Sequence, residues 1–238
     1  ICFNKFIMLL KYYQKLDDAI SYLFSSVCNE EKLIKSIFSQ KKITYIDIGS
    51  NEGSYLGFLL NFCNFKKIVC FEPIVELAKK ISDKYSDQNI EVFSYAISDK
   101  VSKKKFYQYQ ISSQSSLYRQ NDTFKSLKKL KKTIKLKTTK FDLLFNKNIK
   151  IDFCKIDAQG EEINILKGMV ENLKKGKINL IKIEISFLQR YHKSKPNFYE
   201  IINFLNKYNY YIISISKVKF KNNKILLMDA FFQLQNQR

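Results

Sequence analysis

Several features that would indicate other classes of protein are missing from this sequence. Its 5 cysteines form no CxxC pair, which argues against a zinc ribbon or a disulfide framework and favours reduced thiols in a core. No stretch reaches the apolar length of roughly 20 residues that crosses a bilayer. We therefore expect a soluble, cytoplasmic protein. The cysteines are Cys2, Cys28, Cys63, Cys70 and Cys154.

Two glycine-rich nucleotide signatures are also missing. The chain has only 6 glycines, and ITYIDIGSNEGSYLGFLL, residues 43–60, contains neither GxGxxG nor GxxxxGK[ST]. The β-branched and aromatic residues that open this segment predict a buried strand, and the later apolar repeat predicts a helix that begins near Gly53. A helix N-terminus commonly holds phosphate, but Glu52 in the turn would repel it. The turn therefore favours a nucleoside ligand without phosphates.

Negative charge is scarce. The chain has 22 Asp and Glu against 42 Lys and Arg, a net charge of +20, although its composition is also typical of an AT-rich genome. The densest basic run, residues 125–140, offers few aromatic side chains for stacking on bases, so nucleic acid is not the expected partner. A solvated face, an acidic or phosphorylated substrate and an anionic membrane surface stay open as explanations.

The patterns that are present predict one α/β domain. Apolar residues make up 45% of the chain, and strand patterns alternate with helix patterns, which favours a mostly parallel sheet. We place this domain at residues 41–238 and a helical extension at residues 1–40. Between Phe6 and Val27 an apolar stripe would pack on the domain or join two copies into a homodimer. Because the chain begins with Ile, we expect residues before Ile1.

The first predicted strand ends in an acid that precedes a glycine turn. Asp47, Gly49 and Gly53 form the pattern acid-x-Gly-x-x-x-Gly, which resembles motif I of class I methyltransferases. The resemblance implies that this turn, together with Ser50 and Asn51, binds S-adenosylmethionine.

Two later strands extend this predicted site. The strand at residues 67–73 ends in Glu72, an acid placed to accept hydrogen bonds from both ribose hydroxyls, and Pro73 can open the next helix. A third strand, residues 90–98, carries Ile97 near its end, where this fold usually holds the adenine.

The most specific segment is IDFCKIDAQGEEINILKGM, residues 151–169, in which a second strand ends in an acid before a glycine turn. Together with IDIGSNEG, FEP and LIKIEIS, it resembles the FkbM family of S-adenosylmethionine-dependent methyltransferases over roughly residues 41–216. Gln159 stands where the family often has Glu. The matching positions are Lys155, Ile156, Asp157, Gly160, Glu162, Leu166 and Gly168.

This resemblance implies a Rossmann-like class I fold, with a mostly parallel seven-stranded sheet flanked by helices. It also implies O-methylation of a small molecule, a sugar or a glycan precursor. A hydroxyl acceptor must lose a proton, so a base or a metal is expected near the carboxyl end of the sheet. Asp157, Glu184 and His192 are the candidate bases, and Asp157 is also a candidate cofactor contact. Asp157 and Glu184 together are a weak candidate site for a divalent cation.

The predicted acceptor contacts are Lys155, Ser115 and Ser116. Both serines lie in an insertion before residue 150 that reads as short antiparallel strands around a serine-rich loop and could cover the carboxyl end of the sheet. Near the end of the chain, Asn222 and Asn223 predict the turn of a closing hairpin.

Two other functions stay open. DAQG follows the fourth predicted strand, where enzymes that methylate exocyclic amines of bases carry [DN]PP[FYW], so base methylation is disfavoured but ribose methylation of RNA is not. The second alternative is a non-catalytic scaffold with this fold. The intact DIGSNEG turn and Glu72 favour a retained cofactor site over that alternative.

Overall fold

The computed structural model describes residues 29–121, 129–145, 149–194 and 196–235. The predicted apolar stripe from Phe6 to Val27 lies outside these residues, so its role in a homodimer stays a prediction. Within the described ranges no helix is long and apolar enough to cross a membrane. Cys70 and Cys154 are buried free thiols, as predicted.

Ten strands in the described part of the chain form two sheets. Seven of them make one sheet in the order β3, β2, β1, β7, β8, β10, β9, in which β10 runs in the direction opposite to the other six. This arrangement confirms the expected Rossmann-like, mostly parallel sheet. The strands are β1 (Lys42–Ile48), β2 (Asn64–Phe71), β3 (Ile90–Phe93), β4 (Ala96–Ile97), β5 (Ser102–Tyr109), β6 (Leu130–Thr139), β7 (Ile151–Ile156), β8 (Ile178–Ser186), β9 (Tyr210–Lys221) and β10 (Lys224–Leu234).

Helices cover both faces of the large sheet, because its central strands are apolar on both sides. One face packs mainly against α1, α2 and α3, and the other against α4 to α7. The helices are α1 (Glu30–Phe38), α2 (Ser54–Leu60), α3 (Val75–Lys84), α4 (Phe141–Leu144), α5 (Glu162–Lys167), α6 (Val170–Lys174) and α7 (Phe198–Asn206), with a 3-10 turn at Ser112–Gln114.

The described part of the predicted N-terminal extension packs into the domain. Asn29 caps α1 by accepting a hydrogen bond from the backbone N–H of Lys32. On the buried side of this helix, Ile34 and Phe38 contact the core of the large sheet. The boundary at residue 40 is a division in sequence pattern, and α1 shares its apolar core with residues beyond it.

The third predicted strand differs from the structure. Residues 90–98 do not form one strand: β3 ends at Phe93, and β4 leaves the large sheet to pair in parallel with the end of β6. An alternating sequence pattern does not reveal this change of partner. The expected antiparallel strands of the insertion are confirmed, since β5 pairs antiparallel with β6 to complete a three-stranded sheet.

Two turns show how local sequence sets the ends of elements. Asn222 and Asn223 both have positive φ, 50° and 58°, as a two-residue hairpin between twisted strands requires, which confirms the predicted turn. Pro73 lies just before α3, not in its first turn. The N-cap is Ile74, and its backbone N–H donates to the Glu72 carboxylate.

Candidate active site

The carboxyl end of the large sheet carries two rows of charged side chains. Side chains two residues apart on a strand share a face, so the two Lys-Ile-acid repeats of β7 and β8 place lysines behind acids. The inner row consists of Asp47, Lys155 and Lys182, which lie beside one another on the neighbouring strands β1, β7 and β8. The outer row along the edge consists of Glu72, Asp157, Glu184 and Asp229.

Sequence reasoning missed Lys182 and Asp229. The buried Lys182 ammonium forms ion pairs with Asp229 and, at 3.4 Å, with Glu30 of α1. The repeat of Lys-Ile-acid in residues 155–157 and 182–184 was the available signal for Lys182. Nothing local marks Asp229, because it reaches the site only through the antiparallel insertion of β10 beside β8.

Lys155 joins the two acid-glycine turns of the sheet. Its Nζ lies 3.0 Å from Asp47 Oδ1, 3.3 Å from the Gly49 carbonyl oxygen and 3.9 Å from Asp157 Oδ2. Burial alone would lower the pKa of Lys155, but Asp47 and Asp157 raise it above its usual value. The ammonium of this predicted substrate contact therefore stays charged, and its nearest partner is a carboxylate of the protein.

A cavity of about 690 Å³ opens along this edge. Seven of the predicted cofactor residues line it: Gly49, Ser50, Asn51, Glu72, Pro73, Ile97 and Asp157. Two others do not: Asp47 is fully buried behind the cavity, and Gly53 precedes α2 with φ 71° and packs on the Tyr85 ring.

The glycine turn after β1 is held against β7. Gly49 has φ 81°, and a Cβ at this position would lie 1.9 Å from the backbone oxygen of Asp157. A side chain here would therefore meet both a left-handed backbone and a neighbouring main chain. Only glycine allows the ends of β1 and β7 to approach this closely.

Glu72 is anchored by main-chain donors. Its carboxylate accepts hydrogen bonds from the N–H groups of Asn51 at 2.8 Å and Ile74 at 2.9 Å. Burial raises the pKa of Glu72 to about 7, against the effect of these two donors. The fixed carboxylate has lone pairs left to accept hydrogen bonds from a diol such as a ribose.

The cofactor side of the cavity fits an adenosyl amino acid. Asn51 Oδ1 is buried without a hydrogen-bond partner among the described residues, so an acceptor is available where a ligand ammonium group could donate. Glu72 supplies the acceptor for hydroxyls, and Ile97 with Phe71 supplies apolar surface. These groups match the polar and apolar parts of S-adenosylmethionine.

On the other side of the cavity, Gln159 bridges the two candidate bases. Its Nε2 donates to Asp157 Oδ1 at 2.7 Å and to Glu184 Oε2 at 3.2 Å. Its Oε1 accepts from Arg190 at 2.8 Å and from the Tyr191 hydroxyl at 2.7 Å. A glutamate at this position would repel both carboxylates, so the amide is matched to this pair of acids.

The two bridged acids differ in proton affinity. Burial, followed by the nearby charge of Asp157, raises the pKa of Glu184 to about 8, although Arg190 Nη1 lies only 2.6 Å from its carboxylate. Burial by itself would raise the pKa of Asp157 too, but Lys155 and the Gln159 amide keep the pKa of Asp157 below its usual value. Asp157 therefore holds a negative charge more readily than Glu184 does, and the two acids titrate as a coupled pair.

Of the remaining predicted site residues, Ser115 lies at the cavity, whereas Ser116 and His192 lie outside its lining. Ser115 lines the cavity, and its hydroxyl accepts from the backbone N–H of Tyr109. Ser116 is buried outside the lining and donates to the backbone oxygen of Gln159, so it supports the bridging residue. His192 is exposed and does not line the cavity.

The described residues contain no cluster of three or more His, Cys, Asp or Glu side chains arranged around a metal position. The predicted cation pair, Asp157 and Glu184, instead faces the donors of Gln159 and Arg190. The chemistry of this donor set does not fit a divalent cation, because the nearest protein groups are themselves hydrogen-bond donors.

A separate surface of the small sheet is strongly basic. Lys103 pairs across the strands with Lys137, and Lys105 with Lys135, so like charges face each other twice in succession on exposed positions. We call these four residues the lysine ladder. Lys135 and Lys137 belong to the predicted basic run, residues 125–140, and Lys103 and Lys105 lie on the opposing strand β5.

Comparison with known proteins agrees with these observations. The sequence profile of the methyltransferase FkbM domain matches residues 47–212. The crystal structure of methyltransferase FkbM from Methylobacillus flagellatus KT is similar with a TM-score of 0.52 and 15% identity, over 79% of this chain and 43% of that one. This chain therefore spans less than half of that protein.

Two other solved structures are similar with lower scores. A SAM-dependent methyltransferase from Aquifex aeolicus has 16% identity and a TM-score of 0.45, over 88% of this chain and 92% of that one. A putative RNA methyltransferase from Pyrococcus horikoshii has 14% identity and a TM-score of 0.44, over 87% and 81% of the two chains. No curated protein matches this sequence. Because the profile covers most of the chain, including both acid-glycine turns, the protein belongs to the FkbM family of methyltransferases.

Proposed function

We propose that this protein transfers the methyl group of S-adenosylmethionine to a hydroxyl of a small molecule, a sugar or a glycan precursor. The observation that carries the proposal is a single cavity that joins the anchored Glu72 carboxylate to the bridged pair of Asp157 and Glu184. One end thus offers a nucleoside site, and the other offers acids that can take a proton from an alcohol.

The residues of the first two strand ends would hold the cofactor. Glu72 accepts from the ribose hydroxyls, Asn51 accepts from the amino acid end, and Ile97 contacts the adenine. When bound, S-adenosylmethionine supplies an electrophilic methyl group on a positively charged sulfonium. The protein contributes alignment, which is worth several kcal/mol in a displacement between two oriented groups.

Glu184 would accept the proton of the hydroxyl. A general base works best when its pKa is close to the operating pH, which Glu184 satisfies with a pKa of about 8. Arg190 and Gln159 hold its carboxylate in one orientation. Asp157 remains ionised beside it and stabilises positive charge in the cavity.

The test separates cofactor binding from turnover. Asp157→Asn and Glu184→Gln should bind S-adenosylhomocysteine measurably in calorimetry, while formation of S-adenosylhomocysteine with hydroxylated acceptors falls by about 100-fold. Asp83→Asn, an exposed acid on α3, is the matched control and should retain wild-type turnover. Wild-type turnover in both site variants would remove the pair from the mechanism. No cofactor binding by folded wild-type protein would favour the scaffold alternative.

Ribose methylation of RNA is the second candidate, because the lysine ladder is an exposed cationic surface suited to phosphates. A short single-stranded RNA should then bind with an affinity that falls steeply between 50 and 200 mM salt, as is typical of phosphate contacts. Replacing Lys103 and Lys105 with Ala should weaken binding without changing binding of S-adenosylhomocysteine. RNA affinity that is unchanged in this variant would remove the specific support for an RNA substrate.

A further inference from the structure

Strand β9 is irregular beside the cavity. Ser216 pairs with Asp229 and Lys219 pairs with Leu227, so β9 contains one residue more than β10 between these two pairs. The extra residue forms a β-bulge at Lys217, whose backbone is left-handed with φ 49°. Bulges of this kind change the direction of side chains and commonly occur next to active sites.

The bulge turns two lysines toward the cavity. In an unbroken strand Val218 would share the face of Ser216, and Lys217 and Lys219 would point away from it. Here both lysines line the cavity, and Val218 packs against the core on the opposite face of the sheet. Two cations therefore stand at the cavity wall because of a local irregularity in the backbone.

Lys219 differs from the other lysines of the cavity wall. Lys155, Lys182 and Lys217 each have a carboxylate within 4 Å. Across the described ranges, no acidic side chain forms an ion pair with Lys219. This exposed ammonium is free to bind an anion that enters the cavity.

The identity of residue 217 is informative as well. A left-handed conformation costs an L-residue with a Cβ roughly 1–2 kcal/mol, and glycine would avoid this cost. Lys217 instead places its ammonium 3.7 Å from Glu30 and 3.8 Å from Asp229, with 53% of its side chain exposed. At a position where glycine would be easier, the side chain of Lys217 thus pairs with two carboxylates at the cavity wall.

We propose that Lys217 and Lys219 bind an anionic group of the methyl acceptor, a phosphate or a carboxylate, while the acceptor's hydroxyl faces Asp157 and Glu184. This inference rests on the proposed function. Lys219 and Glu184 lie two strands apart across the sheet, and their positions differ by two residues along the strand direction. Their Cα atoms are therefore about 12 Å from each other. Inward-reaching side chains shorten this span to one that a small acidic sugar can bridge.

The experiment uses the full chain saturated with S-adenosylhomocysteine, whose binding is measured first. Calorimetric titrations then compare glucose 6-phosphate and glucuronate with neutral glucose. At least one anionic sugar should bind more tightly than glucose, and the preferred one distinguishes phosphate from carboxylate. Lys219→Ala should weaken its binding about fivefold, the upper range for an exposed ion pair, and Lys219→Arg should retain it. Lys224→Ala, an exposed lysine on the same hairpin outside the cavity, should bind as wild type does.

Lys217→Gly separates binding from backbone geometry. It relieves the left-handed strain, so the melting temperature should stay level or rise, while affinity for the anionic sugar falls. Unchanged anion affinity in both Lys217→Gly and Lys219→Ala would overturn the proposal, as would equal loss in Lys224→Ala. Equal or absent binding of charged and neutral sugars to the loaded protein would also overturn it. Failure of S-adenosylhomocysteine to bind at the first step would instead overturn the proposed function.

Discussion

Removing the Glu72 carboxylate should separate cofactor affinity from fold stability. Glu72→Ala removes the acceptor for the N–H groups of Asn51 and Ile74. An unpaired buried N–H costs about 1–3 kcal/mol, and water that enters the emptied space replaces part of the loss. We therefore expect the free energy of unfolding to fall by about 2 kcal/mol.

The effect on the cofactor should be larger. Two ribose hydroxyls that donate to an ionised carboxylate contribute about 1.5–3 kcal/mol each. Their loss, at about 3 kcal/mol or more in total, corresponds to an affinity for S-adenosylhomocysteine that is at least about 100-fold weaker. Glu72→Gln keeps one acceptor oxygen and the side-chain shape, so its loss of affinity should be intermediate.

Calorimetric titration gives the affinities, and urea unfolding of the ligand-free variants gives the stabilities. A control is Glu91→Gln, which replaces an exposed acid of the neighbouring strand β3 that pairs with Lys67 and should change neither quantity by much. If Glu72→Ala binds S-adenosylhomocysteine as tightly as wild type does, Glu72 is not the ribose acceptor. If all affinity is lost only because the variant is unfolded, Glu72→Gln still decides the question.

Three further predictions concern stability. Gly49→Ala should lower the free energy of unfolding by about 3 kcal/mol or more in urea, because its Cβ meets a backbone oxygen at 1.9 Å; a loss under about 1 kcal/mol would refute the close approach. Lys135→Glu should stabilise the protein by about 0.5 kcal/mol, because it places an acid opposite Lys105, whereas Lys66→Glu, at an exposed position of β2, should not. The pKa of Glu184 is raised from 4.5 to about 8, so its contribution to stability is fully present below pH 4.5 and is lost as the pH rises through 8. The melting temperature of the ligand-free protein should therefore rise between pH 8.5 and 6, and Glu184→Gln should flatten that rise; a wild-type melting temperature that falls over this range would contradict it.

Much of the fold could be predicted because its signals are local. The apolar run before Asp47, the glycine turn and the helical repeat after it define a strand, a loop and a helix within 20 residues. The paired asparagines of the last turn define a hairpin in the same way. The predicted strand at residues 90–98 was wrong, because an alternating pattern identifies a strand but not the strand with which it pairs.

The sequence by itself determined the chemistry at the ends of β1, β2 and β7, because each acid lies within the end of its own apolar strand or directly after it. Tertiary structure alone decided what surrounds those acids. The Gln159 bridge depends on β7, β8 and the loop that carries Arg190, which meet only in the folded chain. Likewise, Asp229 and Lys219 reach the cavity through the insertion of β10 and a bulge in β9, since pairing register and backbone irregularity depend on contacts between distant segments.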